Sequence, residues 1–123
     1  MKILDRLFGW LLVVNGLLHA LGAWDANHAK PDVLLWALTG SLAAFLIAGI
    51  NLLRAERPDD RTLAWLGLAG SLAWLAVALA VGKLAGNFLD ARVVSNALNA
   101  AVLAAMSIRS ISAGRLAGAQ AAV

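Results

Sequence analysis

The sequence predicts an all-α integral membrane protein, a four-helix up-down antiparallel bundle with both termini in the cytoplasm. Three observations carry that prediction. Of 123 residues, 62% are hydrophobic and only 14% are charged, against ~45–50% apolar and ~25% charged in an ordinary soluble domain. The apolar residues gather in four continuous stretches, each near the ~20 residues that cross ~30 Å of hydrocarbon as helix. The Lys and Arg residues sit at the ends of those stretches, with an excess on one side, as membrane topology signals do. Disorder is excluded by the apolar content, and disulfide-stapled folds by the absence of Cys.

The expected helices cover about 3–24, 33–54, 62–85 and 91–111, followed by a short cytoplasmic tail, 112–123, in one transmembrane domain. Strands are not a reasonable alternative. Transmembrane strands alternate polar and apolar residues over ~10 positions, whereas these runs are continuously apolar and rich in Leu and Ala. The first run reads as a retained helix rather than a cleaved leader: Asp5 interrupts the basic start, Asn15 and His19 interrupt the apolar run, and Leu21 spoils the small-residue cleavage pattern. Pro31 and Pro58 fall in the polar linkers, where they break no helical hydrogen bonds. Asp32 is the expected cap of the second helix, Asp60 or Thr62 of the third and Asp90 of the fourth. Linkers this short join antiparallel neighbours.

Orientation follows from the basic residues. Lys2, Arg6, Arg54, Arg57, Arg61, Arg109 and Arg115 lie on the side shared by the termini, and Lys30, Lys83 and Arg92 on the other. The positive-inside rule then places both termini in the cytoplasm, and the inner (plasma) membrane is the expected location. Trp10 and Trp65 fall toward one interface and Trp24 and Trp36 toward the other, with Trp74 left near the middle as a packing residue. The net charge of +3 is spread over helix ends rather than one solvated face, so no nucleic-acid partner is expected. The run from Arg54 to Arg61, three Arg against Glu56, Asp59 and Asp60, reads as a solvated cytoplasmic turn.

Polar groups inside apolar runs are costly unless satisfied, so each needs an explanation. Asn15 and His19 are four residues apart, on one face of the first helix. With Thr39, Asn96 and Asn99 they are expected to form a polar pocket in the outer half of the membrane, below outer loops carrying Asp25, His28, Asp90 and Arg92. One reading makes the Asn residues interhelical glue, worth ~0.6 kcal/mol each. The other makes the pocket a ligand or proton site centred on His19. Arg92 is available to Asp25 or Asp32 across the outer surface. His19, Asp25 and His28 offer nitrogen and oxygen ligands, but with no compact metal-binding spacing; no metal and no cofactor is expected. Gly40-Ser41-Leu42-Ala43 recurs as Gly70-Ser71-Leu72-Ala73, most simply because small residues let helices approach closely.

No Ser nucleophile has a neighbouring His or acid, and no phosphate-cradling Gly loop is present. The absence of Cys excludes thiol-dependent redox chemistry. The opening Arg6-Leu7-Phe8-Gly9 through Asn15-Gly16-Leu17-Leu18-His19 resembles the first helix of small DoxX-like four-helix bacterial proteins. No activity is carried over from that resemblance, and a bacterial inner membrane is the expected location. The expected function is a non-enzymatic accessory or assembly subunit, or a binder of a lipid-like small molecule. The alternatives are an oligomeric transporter or channel using the polar cluster, and a membrane enzyme centred on His19 and Asp25. The expected partners are the bilayer, further copies of the chain, or a larger membrane complex.

Overall fold

The computed structural model describes residues 2–120, with side chains through Ala113, as four α-helices: α1 Lys2–Asn27, α2 Pro31–Glu56, α3 Arg61–Leu84 and α4 Ala91–Gln120. All four are long and apolar enough to cross a membrane. At 1.5 Å rise per residue, even the 24-residue α3 reaches ~36 Å, more than the hydrocarbon thickness. Helix α4 does not stop near residue 111. Its backbone stays helical to Gln120, and Ser110 and Ser112 return their hydroxyls to the Met106 and Ile108 carbonyls, a pairing that leaves the helix intact. Arg115 lies outside the described side chains.

Helix ends correct one expectation. Asp32 does not cap α2. Lys30 holds the cap position without a side-chain bond, and Pro31 opens the helix, where its missing N–H costs nothing. Asp32 instead sits in the first turn, where a negative charge complements the helix dipole. Asp60 does cap α3, accepting from the Leu63 N–H at 3.1 Å. The end of α3 is closed by Gly86 at φ +65°, with the Gly86 and Asn87 amides turned back to the Lys83 and Gly82 carbonyls. Only glycine takes that backbone conformation without strain.

The helices pack most extensively as α1 against α2 and α3 against α4, with α2–α3 and α1–α4 contacts closing the ring. Across α1 and α2, Asp5 meets Arg54, Gly9 meets Leu52, Gly16 meets Phe45 and His19 meets Ser41. Lys2, Pro58 and Arg109 therefore gather at one end and Asn27, Ala91 and Arg92 at the other.

The interior is built from small residues. Ala44, Ala48, Ala64, Ala100, Ser71 and Ser107 are buried, and Leu12 and Leu103 are the only large apolar side chains fully enclosed among the described residues. The large apolar side chains point outward instead: Leu17, Leu18, Leu35, Leu42, Leu46 and Leu98 are all more than half exposed. In water such a surface would be an aggregation hazard. Facing lipid tails it is the expected arrangement, because small residues bring helix backbones together where no hydrophobic force drives association.

Candidate functional site

Near the end formed by the α1–α2 and α3–α4 loops, two cavities share one wall. The first, about 310 Å³, is lined by apolar α3 residues such as Val77 and Val81, by Trp74, and by Asp90 at the start of α4. The second, about 620 Å³, lies between α1, α2 and α4 against Asn15, Ala23, Ala37 and Ser95. His19, Arg92 and Asn96 line both. Volumes of 300–1,000 Å³ with apolar walls and few polar groups suit small molecules.

His19 hydrogen-bonds Ser41 of α2 through Nδ1 at 2.9 Å, and its ring lies beside Gly40. Asn96 accepts from the Trp74 indole N–H at 3.1 Å and donates to the Arg92 carbonyl at 2.8 Å. Trp74 is thus a polar tie between α3 and α4 as well as a packing residue. Asn15 lines the larger cavity, and its sheltered Nδ2 has no hydrogen-bond partner. These three residues line the larger cavity together.

The remaining candidates go elsewhere. Thr39 donates to the Trp36 carbonyl of its own helix and lines neither cavity. Asn99 is buried away from both. With its amide oriented to pair at both ends, it donates to the Phe8 carbonyl and accepts from the Leu12 N–H, each at 3.1 Å, which stitches α4 to α1. His28 turns Nδ1 to the Trp24 and Asp25 carbonyls, 3.2 and 3.1 Å away, and neither His28 nor Asp25 lines a cavity. Among the described residues no three His, Asp or Glu side chains are grouped to hold a metal ion.

Arg92 pairs with neither Asp25 nor Asp32. It folds back on Asp90, two residues away, with Nη2 to Oδ2 at 3.1 Å and its own backbone N–H to Oδ1 at 2.8 Å. The guanidinium first, and that backbone N–H second, hold the Asp90 carboxyl below its ordinary range.

No known family model, curated protein or solved structure matches the chain.

The opposite end holds a polar network that sequence reasoning missed. Arg54 is not part of a solvated turn; it is 1% exposed. Its Nη1 donates to Asp5 at 3.1 Å and to Ser110 at 3.2 Å, its Nη2 donates to Asp5 and to Asn51, and its Nε donates to Asn51. Every guanidinium N–H is directed at an acceptor, the condition under which a charge tolerates burial. Asn51 also donates to Ser71 of α3 at 3.2 Å, so all four helices join the network. The detectable signal was Arg54 three residues after Asn51, on a shared helix face. A cavity of about 190 Å³ adjoins it, bounded by Lys2, Asp59 and Arg109. Between this network and the His19 cavities lies an apolar plug of Leu12, Ala44, Ala48 and Leu103.

Proposed function

We propose that the chain is a non-enzymatic multi-pass protein of the inner (plasma) membrane that holds a lipid-like small molecule between its helices. In this reading it is an up-down antiparallel bundle with both termini cytoplasmic and the His19 cavities in the outer half of the membrane. The outward Leu surface and the small-residue interior support insertion, and the excess of Lys and Arg at the Asp5–Arg54 end supports the orientation.

The observation that carries the ligand reading is His19. It lies within an apolar helix, yet remains solvent-accessible, and it lines both cavities at once. An imidazole facing lipid would be expensive, and intramembrane ionisable groups face a cavity or the protein interior. The walls around it are largely apolar, which suits a hydrocarbon chain better than a hydrated ion. The plug of Leu12, Ala44, Ala48 and Leu103 favours a binder over a pore within one chain. Asp25 is not brought to the cavity, so a His19–Asp25 enzyme lacks its second group. Assembly with further copies or with a larger complex fits the same surface.

Purification of the full chain in mild detergent, with native mass spectrometry, tests the reading. Recovery with a stoichiometric co-purifying amphiphile, diminished by His19→Phe, is the expected result. A ligand-free protein at every detergent concentration overturns it. Reporter fusions at Pro58 and at the C-terminus are expected to report the same compartment, and the Asn27–Lys30 loop the opposite one.

A further inference from the structure

Resting on the lipid-binder reading, we infer that the ligand carries a neutral, hydrogen-bond-accepting head, a carbonyl on a single apolar chain, held by His19. The inference comes from accounting for every polar side chain on the cavity walls. Three titratable residues line the two cavities among the described residues: His19, Asp90 and Arg92. Asp90 and Arg92 neutralise one another, the carboxylate receiving the backbone N–H, Nε and Nη2 of Arg92. The pair leaves no net charge on the cavity walls to hold an ionic head.

The neutral polar groups are mostly spoken for. The Trp74 indole is taken by Asn96, whose amide nitrogen goes to the Arg92 carbonyl. Ser95 donates to that same carbonyl, and Asn27 donates to the Ala23 carbonyl. The His19 ring is the group left to meet a ligand. It uses Nδ1 on Ser41 and leaves Nε2 uncommitted. Ser41 is buried at 3% exposure, so its hydroxyl hydrogen is best satisfied on Nδ1, which places the ring proton on Nε2 as a donor. Asn15, one helical turn away on the same face, lines only the larger cavity, and its unpaired amide nitrogen is sealed from that space. A carbonyl oxygen accepts from His19 Nε2. Its chain then lies along the apolar slot of Val77, Ala78, Val81 and Trp74.

The test is thermal unfolding of the detergent-solubilised full chain with four probes of equal chain length: methyl laurate, laurate, dodecylammonium and dodecane. Methyl laurate is expected to raise the unfolding midpoint at concentrations at least ~10-fold lower than the other three, the gap of one good hydrogen bond. His19→Phe is expected to reduce the ester to the level of dodecane. Laurate or dodecylammonium acting as well as the ester overturns the neutral-head inference and leaves the binder reading standing, as does an ester no better than dodecane. No shift with any probe overturns both. Phosphatidylglycerol added in place of the probes distinguishes the bilayer's own anionic lipids as the source; a response equal to that of the ester also overturns the inference.

Discussion

Arg54 and Asp5, 49 residues apart in sequence, form a two-armed ion pair in which the guanidinium is fully enclosed and the carboxylate nearly so. Removing one member of a buried pair strands the other, at a cost of ~3–5 kcal/mol, whereas replacing both with apolar groups is often close to neutral. Asp5→Ala is therefore expected to lower the unfolding free energy in detergent by several kcal/mol. The double variant Asp5→Leu with Arg54→Met is expected to recover most of that loss. Equal losses in single and double variants would refute the pair as the source.

Gly67 and Gly49 make a matched contrast. A Cβ at Gly67 would lie 3.0 Å from Ser107 Oγ and 3.2 Å from Asn51 Oδ1, inside the network around Arg54, whereas at Gly49 it would meet nothing within 4 Å. Gly67→Ala should destabilise by ~1–3 kcal/mol through overpacking. Gly49→Ala should be neutral or stabilising by up to ~1 kcal/mol, the difference in helix propensity. Denaturant titration followed by helical circular dichroism distinguishes the two.

The bond from the Trp74 indole to Asn96 joins α3 to α4 within the span. A double-mutant cycle with Trp74→Phe and Asn96→Leu should give a coupling of ~0.6 kcal/mol, and no more than ~1.7, the range of measured hydrogen bonds between membrane helices. Zero coupling would assign Trp74 to packing alone.

Asp90 offers a pH test with a defined sign. Arg92 lowers the Asp90 carboxyl in the folded state from its ordinary value of 3.8, so the ionised form stabilises the fold. That contribution is fully present above pH 3.8, and it is lost as acid protonates the carboxylate below that value. Asp90→Ala is expected to lower the thermal midpoint at pH 7, by an amount that shrinks toward zero near pH 2. A difference that persists or grows in acid contradicts the assignment.

Four helices were legible in the chain because membrane spans are a matter of length and continuous hydropathy, both properties of local sequence. His19, Asn15 and Asn96 were legible for a related reason, since a polar residue inside an apolar run stands out. The Arg54 network was not. Arg54 stands at the boundary where the apolar run gives way to charge, and local composition assigns such a residue to the loop. Its burial depends on Asp5, Ser110 and Asn51 arriving from three helices.

The sequence alone settled how many helices form and which stretches can lie in lipid, because 3.6-residue periodicity and chain length need no partner. The tertiary structure alone decided which polar groups share a cavity and which are consumed in stitching: Thr39 turned to its own helix, Asn99 to the backbone of α1, and Arg92 to Asp90. Such pairings depend on the rotation and depth of each helix against its neighbours. Those are fixed by the fit of small residues such as Gly16 and Gly67 against facing side chains, and no single segment encodes both sides of that fit.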